Sequence, residues 1–170
     1  MGNTDLKRAA DAPPAPRALQ GQDAFACAVC ALVRAARREL SLFAPQLAVA
    51  PFATAAVTAA LGQFLTAHPR NRLRLLIEDE TQVRRDHERL LALARRAGEQ
   101  FELRVLDESD GGTRELWLLA DRAGALWQED LAREDGRTCT PAEAVRLAGR
   151  FDDAWERGRP TALNALGLAP

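Results

Sequence analysis

The chain has 170 residues, of which 47% are hydrophobic and 28% are charged. This length and composition suit a single domain with one well-buried core. The formal net charge is −1, so overall charge gives no attraction to nucleic acid or to an anionic membrane. Binding of either kind would require a local patch of charge.

Residue usage excludes several kinds of chemistry. Lys7 is the only lysine, and it lies in a predicted tail. A lysine-dependent phosphate loop, a Schiff-base lysine and a phosphodiesterase built from His, Lys and Asp all need a lysine in the folded body. The histidines are His68 and His87 and there is no tyrosine, which is little equipment for acid–base catalysis near neutral pH. We expect no organic cofactor.

The cysteines point to a reducing compartment and not to a metal site. Cys27, Cys30 and Cys139 are odd in number, and we find neither a secretory signal nor a long apolar run, so we expect a cytoplasmic protein. Cys27 and Cys30 have the spacing of a redox or zinc motif, but they lie within a predicted helix and lack a second ligand pair. We therefore predict buried small side chains and no metal.

Three segments are predicted along the chain. Residues 1–21 are rich in Ala, Pro and charge without a hydrophobic period, which predicts a disordered tail. Residues 22–158 carry the periodic segments of one folded domain. In residues 159–170, Leu163, Leu166 and Leu168 predict a C-terminal arm that docks on that domain.

Hydrophobic periodicity within the domain predicts alternating helices and strands. On the strand over 38–45, Leu40, Leu42 and Ala44 share one face, while Ser41 and Phe43 share the other. Residues 129–138 are charged and predicted to be irregular. The predicted elements in chain order are helix 23–37, strand 38–45, helix 51–68, strand 73–77, helix 81–97, strand 101–106, strand 115–121, turn 122–124, a return strand to 128 and a helix from 141 to 155.

This order predicts the fold class. Strands that alternate with helices, followed by a hairpin and a last helix, imply a mixed β-sheet with helices on both faces. We therefore predict a single-domain α/β protein.

Four segments resemble a phospholipase-D-like module. They are 38–45, 74–79, the hairpin and 151–155, and the resemblance spans roughly residues 23–158. In that family the hairpin carries a His-x-Lys-x-x-x-x-Asp motif. Here Arg114 stands at the histidine position and Leu116 at the lysine position, and only Asp121 fits. The resemblance thus implies the fold, while the residues argue that the nucleophile of the phosphodiesterase is missing.

A second resemblance is narrower. Residues 87–96, 103–104, 118–124 and 151–155 are similar to a small proteobacterial domain of unknown function, which occurs alone or behind a GNAT acyltransferase domain. This chain has no Arg/Gln-x-x-Gly-x-Gly/Ala segment to hold the pyrophosphate of coenzyme A. We therefore do not transfer acyltransferase activity to it.

The leading hypothesis for function is a non-catalytic interaction or regulatory module. Members of the phospholipase-D superfamily pair two hairpins across a pseudo-twofold axis, so the resemblance implies a homodimer. Trp117 and Trp127 are predicted cross-strand neighbours in the hairpin. They belong either to the core or, if they face outward, to a protein interface.

The second hypothesis is a binder of phosphate ligands or nucleic acid that uses Arg114, Arg104 and neighbouring arginines. Arginine forms bidentate contacts to phosphate, although Arg114 and Asp121 could also be ordinary charges at the ends of a strand. Further arginines cluster at 70–74, 84–89 and 95–96. Because interleaved aromatic residues are absent there and acidic residues are near, a solvated, ion-paired surface is favoured at those clusters.

The third hypothesis is an enzyme with a rearranged site around His87, Asp121 or Asp152. His87 has charged neighbours, and a structural hydrogen bond is the alternative explanation for it. Nothing in the sequence brings a nucleophile together with its base, so this hypothesis ranks last.

Overall fold

A mixed β-sheet lies at the centre of the computed structural model, which describes residues 15–47 and 51–167. Within these residues the chain forms eight strands and five α-helices. In chain order they are β1 (Ala18–Leu19), α1 (Gly21–Ala35), β2 (Glu39–Phe43), α2 (Ala55–Ala67), β3 (Arg72–Ile77), α3 (Glu80–Asp86), α4 (Glu88–Ala97), β4 (Phe101–Val105), β5 (Leu116–Ala120), β6 (Gly124–Gln128), β7 (Gly136–Thr138), α5 (Pro141–Arg157) and β8 (Arg159–Pro160).

The strand order is β1-β7-β6-β5-β2-β3-β4-β8. Strands β2, β3 and β4 are parallel, and β5 runs antiparallel to β2 with Ala120 opposite Leu40. The starts of the three parallel strands and the β5–β6 turn therefore lie at one end of the sheet, which we call the hairpin end. The carboxyl ends of the parallel strands lie at the opposite end.

The two faces of the sheet are covered unequally. Leu40, Leu42 and Ala44 pack in the core beneath the helices that precede β4, whereas Phe43 and Trp117 pack beneath α5. The rings of Phe43 and Trp117 stack with their centroids 3.9 Å apart. The predicted α/β fold with helices on both faces is confirmed, and the alternation along β2 is the sequence pattern that specifies it.

The helix predicted over residues 81–97 is two helices. His87 separates α3 from α4 with φ −125° and ψ 50°, and its ring Nε2 lies 3.2 Å from the carbonyl oxygen of Leu47. Backbone hydrogen bonds still cross the break, from the His87 N–H to Val83 and from the Leu91 N–H to His87. Because the apolar period continues on both sides, the sequence pattern alone does not reveal this one-residue break.

The segment predicted to be irregular over residues 129–138 contains β7. This strand pairs with β6 on one side and with β1 on the other. It is short and charged, so it lacks the alternation by which a strand is recognised. A Cβ at Gly136 would lie 2.5 Å from Cδ2 of Phe25, so only glycine fits where α1 crosses this strand.

The two terminal segments contribute short strands. Strand β1 lies inside the predicted tail over 1–21, and Leu19 is buried; residues 1–14 of that tail lie outside the described residues. Strand β8 pairs with β4, and the Asn164 side chain bonds both the N–H and the carbonyl of Leu103 at 2.9 Å. Residues 168–170 of the predicted arm also lie outside the described part. Among the described helices, none has the length and apolar character needed to cross a bilayer.

Candidate functional site

His87 is a buried structural residue. Its side chain is 1% exposed, and Nε2 contacts the Leu47 carbonyl while Nδ1 has no partner among the described residues. Burial lowers the pKa of His87 below its usual 6.5, against smaller opposing effects of the Leu47 carbonyl and Asp86. The ring is therefore neutral near pH 7, and no described carboxylate forms an ion pair with it.

Arg114 and Asp121 lie at opposite ends of β5 and do not meet. Nε of Arg114 is 3.1 Å from Oδ1 of Asp130, and its side chain is 58% exposed. Between them, Leu116 is fully buried in the core. The structure thus places Arg114 in a surface ion pair with a different partner, where attraction contributes little.

Asp121 organises the backbone at the hairpin end. Its carboxylate accepts hydrogen bonds from the backbone N–H groups of Arg37, Arg38 and Glu39 at 2.7, 2.8 and 3.0 Å. Burial alone would raise the pKa of Asp121, but these three N–H groups together hold it below 3.8. Asp121 also has φ +50°, a conformation that Asp and Asn tolerate better than most residues.

Trp117 and Trp127 face the α5 side of the sheet as a cross-strand pair. Trp117 is 1% exposed and stacks on Phe43, so it is a core residue and not an interface residue. Trp127 is half-buried, and the Arg137 guanidinium lies 4.8 Å from its ring centroid. Trp127 also lines a cleft of about 440 Å³ beside α5, so the interface role predicted for Trp127 stays a prediction.

The hairpin end gathers six arginines from three chain segments. The N–H of Arg72 donates to the carbonyl of Arg38 at 2.9 Å, and Asn71 receives the Arg38 guanidinium at 3.5 Å. Asn71 is itself fixed by a 2.7 Å bond from Nδ2 to the Phe64 carbonyl. We call this set the arginine surface, and its members are Arg37, Arg38, Arg70, Arg72, Arg74 and Arg122.

Two members of the arginine surface are tethered by carboxylates. Arg74 pairs with Glu39 and lies 3.2 Å from Asp152, and its guanidinium carbon sits 4.9 Å from the Phe151 ring centroid. Arg122 contacts the other oxygen of Asp152 at 2.5 Å. Glu39, Asp121 and Asp152 are therefore engaged, whereas the exposed Glu99, which precedes β4 at this end, forms no ion pair among the described residues.

The other four members have no carboxylate partner in the described part of the chain. Arg37, Arg38, Arg70 and Arg72 are exposed, and none forms an ion pair there. The arginine cluster predicted at 70–74 is thus ion-paired only at Arg74. Because Asp121 and Asn71 fix the backbone around them, the Cα positions of these arginines are fixed as well.

Arg104 lies beside the arginine surface on β4 but has a structural role. It donates to the Trp155 carbonyl at 2.8 Å, pairs with Glu102 at 3.0 Å and covers the Trp155 ring at 4.5 Å. The predicted site residues are therefore divided. Asp121 supports the arginine surface and Arg104 borders it, while Arg114 and His87 belong to other regions.

The opposite end of the sheet is acidic. Carboxylates follow β3 and β4 where these strands end, and two of them cap the next turn: Asp79 accepts from the Thr81 N–H and Asp107 from the Ser109 N–H. The set comprises Glu78, Asp79, Glu80, Asp107, Glu108 and Asp110. A cleft of about 360 Å³ there includes Asp110, Glu115, Trp117, Arg150 and Arg157 in its lining.

The charges in this acidic cleft neutralise one another. Arg157 pairs with Asp110 at 2.6 Å, and Arg150 lies 3.3 Å from Glu115, although that pair is not aligned as a hydrogen bond. A larger groove of about 640 Å³ runs between α2 and α4, and none of the predicted site residues lines it. Neither cavity brings the predicted residues together.

The cysteines and acidic residues form no metal site in the part of the chain that the structure describes. Of the two cysteines predicted to be buried on α1, Cys30 is buried, but the prediction is wrong for Cys27, which lies on the exposed side of the helix. Burial raises the pKa of Cys139 to about 11, so this residue is a thiol at neutral pH. The residues of the third hypothesis are also separated, because His87 lies on the face opposite α5, which carries Asp152.

The sequence contained part of the signal for the arginine surface. Basic residues after α1 and around the start of β3 were visible, but their proximity depends on the parallel pairing of β2 with β3. The contribution of Arg122 depends on β5 lying beside β2.

The fold is that of phospholipase-D-like proteins. TrmBL2, an archaeal chromatin protein with a novel mode of DNA binding, superposes with a TM-score of 0.63 at 15% identity, over 92% of this chain and 59% of that one. Nuc, a phospholipase D family member from Salmonella typhimurium, gives 0.57 at 14% identity, over 86% and 99%. NucT from Helicobacter pylori gives 0.60 at 8% identity, over 86% and 98%.

The sequence itself matches one family model. No curated protein matches the chain. The model for a domain of unknown function, DUF7931, matches residues 21–166, which span α1 to the short helical turn after β8. The chain therefore belongs to the DUF7931 family.

Proposed function

We propose that this protein is a non-catalytic module that binds nucleic acid through the arginine surface. The observation that carries the proposal is the set of four exposed arginines without carboxylate partners among the described residues: Arg37, Arg38, Arg70 and Arg72. The proposal names nucleic acid as the partner in the interaction-module hypothesis. It places phosphate binding at the hairpin end and not at Arg114.

Arginine suits this role because its planar guanidinium donates two parallel hydrogen bonds to phosphate oxygens. The backbone of Arg37 and Arg38 is fixed by Asp121, and the Arg72 N–H is fixed by the Arg38 carbonyl. Less backbone freedom is then lost on binding, which favours affinity. The surface is open and not a pocket, as an extended polyanion requires.

Two residues of the hairpin, Arg114 and Leu116, support a module without catalytic activity. The position of the family histidine holds Arg114, which is paired with Asp130, and the position of the lysine holds the core residue Leu116. Both lie toward the acidic end of the sheet, where carboxylates repel phosphate. His87 is buried and neutral, so it supplies no substitute nucleophile to an exposed polyanion.

The structural neighbours support the class of ligand. TrmBL2 is described as a DNA-binding chromatin protein, and the present chain aligns with 59% of its length. A phospholipase-D-like fold therefore occurs in a protein that binds DNA. The choice of the arginine surface as the contact rests on this chain's own residues.

Fluorescence anisotropy with a labelled DNA duplex across a salt series tests the proposal. We expect log K to fall linearly with log[salt], because bound arginines release counterions with a slope of about −0.9 per phosphate contact. The double variant Arg37→Ala/Arg38→Ala should reduce that slope by roughly 2 and weaken binding about tenfold or more.

The matched control is Arg133→Ala/Arg146→Ala. These arginines are exposed and form no ion pair in the described part, and they lie away from the hairpin turn, Arg133 beside Gln128 at the far end of β6 and Arg146 on α5. The control should retain most of the affinity and slope. Equal losses in the two double variants, or no salt-dependent binding at all, would contradict the proposal.

A further inference from the structure

We infer that the arginine surface selects the duplex backbone over single strands and binds it without preference for base sequence. This inference rests on the proposed function and specifies its ligand. Three features of the molecule carry it: the burial of the aromatic residues, the absence of a base-reading element at the hairpin end, and the spacing of the arginines.

The aromatic residues are committed to the core. The chain has six phenylalanines, three tryptophans and no tyrosine, and all nine aromatic residues lie within the described ranges. Trp117 and Trp155 are buried, and Trp127 is half-buried with Arg137 at its ring. The phenylalanines are all buried as well: Phe25, Phe43, Phe52, Phe64, Phe101 and Phe151.

Single-strand binding usually depends on aromatic side chains that stack on bases. Such stacking adds to the affinity with each base that is bound, whatever its sequence. Without an exposed ring, the arginine surface gains only the phosphate contacts. A flexible single strand must in addition be ordered along those contacts, which costs conformational entropy that a duplex has already lost.

Among the described residues, the hairpin end has no element that could enter a groove lengthwise. Direct reading of bases requires a helix or a two-stranded ribbon in the major groove. Here α1, α2 and α4 end at Ala35, Ala67 and Ala97, just before the strands that begin at the hairpin end, and the turn after Ala120 is short. Contacts are then made to phosphates, which carry no direct sequence information.

The arginine spacing fits a duplex. The four members without carboxylate partners lie at the starts of two neighbouring strands: Arg37 and Arg38 precede β2, and Arg70 and Arg72 lie at the start of β3. Since neighbouring strands are about 4.8 Å apart, the row extends about 5 Å across the two strands before the side chains add their reach. Grooves of B-DNA are about 6 and 12 Å wide, so one row can contact phosphates of both strands.

The test is anisotropy at one salt concentration with three labelled probes: a duplex, each of its separated strands, and a duplex of unrelated sequence. We expect the two duplexes to bind with equal affinity and each strand to bind at least about tenfold more weakly, which corresponds to about 1.4 kcal/mol. The Arg70→Ala/Arg72→Ala variant should lose duplex affinity, and Arg133→Ala/Arg146→Ala should keep it.

The outcomes separate this inference from the proposed function. Strands that bind as tightly as the duplex, with the loss in Arg70→Ala/Arg72→Ala retained, would overturn duplex selectivity and leave nucleic-acid binding in place. A preference of more than about tenfold between the two duplexes would overturn sequence independence. No binding to any of the probes would overturn both proposals.

Discussion

At the scale of single residues, Asp121 joins the hairpin turn to the start of β2. Its carboxylate bonds the backbone N–H groups of Arg37, Arg38 and Glu39. It thereby fixes the strand start from which two arginines of the arginine surface project. Asp121 therefore supports the stability of this end and, on the proposed function, the geometry of binding.

Asp121→Ala should be strongly destabilising. Three N–H groups lose a charged acceptor, and alanine tolerates the left-handed backbone less well, so we expect the free energy of unfolding to fall by about 2–4 kcal/mol. Asp121→Asn keeps one acceptor oxygen and suits the backbone, so its loss should be smaller. Urea denaturation measures both, and equal stability of the alanine variant and the wild type would refute this role.

His87 should give the protein an acid-sensitive component of stability. Its folded pKa is lowered, so below the unfolded value near 6.5 the unfolded state binds a proton that the folded state does not. Stability from this group is complete above pH 6.5 and is lost as the pH falls toward the lower folded pKa. The urea midpoint should be lower at pH 5 than at pH 8, and His87→Gln should reduce that difference; an unchanged difference in the variant would contradict this role.

At the scale of elements, the start of α5 depends on a capping box. The Thr140 hydroxyl accepts from the Glu143 N–H at 3.2 Å, and the Glu143 carboxylate accepts from the Thr140 N–H at 2.8 Å. The Arg137 side chain and then the Thr140 N–H hold the pKa of Glu143 at about 2, so this cap persists in mild acid. Because α5 is the described helix that covers its face of the sheet, the cap stabilises the packing on that face.

Thr140→Ala should lower the free energy of unfolding by about 1 kcal/mol, since the helix loses an acceptor at its first turn. The matched control is Thr66→Ala, whose hydroxyl bonds the Gly62 carbonyl within α2 and leaves no helix terminus uncapped. That variant should be neutral or slightly stabilising, because alanine favours helix. Thermal and urea unfolding of both variants check this, and a larger loss in the control would contradict it.

Elements were predictable where packing imposes a period. Leu40, Leu42 and Ala44 alternate because β2 is buried between two helical layers, and the hairpin was predictable because its strands flank a turn. The break at His87 and strand β7 were not predictable, because each depends on a distant partner. For His87 that partner is the Leu47 carbonyl, and for β7 it is the edge of β6.

At the scale of the whole molecule, a net charge of −1 conceals a separation of charge. Arginines collect at the hairpin end and carboxylates at the carboxyl end of the parallel strands. The composition alone could not show this, because the separation follows from which strands are parallel. Arg114 was predicted as a ligand residue from its family position, and it lies toward the acidic end.

The charge separation predicts retention on a heparin column at neutral pH despite the negative net charge. Local potential, not net charge, governs attraction at distances below the Debye length of about 8–10 Å. Arg37→Ala/Arg38→Ala should elute at lower salt than Arg133→Ala/Arg146→Ala, although both variants have the same net charge. Elution of the two at the same salt concentration would show that no local surface is involved.

The short edge strands limit how two copies of this protein can associate. β1 and β8 are two residues long, Pro160 in β8 has no N–H to offer, and Asn164 occupies the free N–H and carbonyl of Leu103 on β4. In the described part of the chain, neither edge of the sheet offers a long row of free N–H and carbonyl groups to another strand. This protects the protein against edge-to-edge aggregation. The homodimer implied by the family resemblance stays a prediction, and it would have to form by a route other than extension of the sheet.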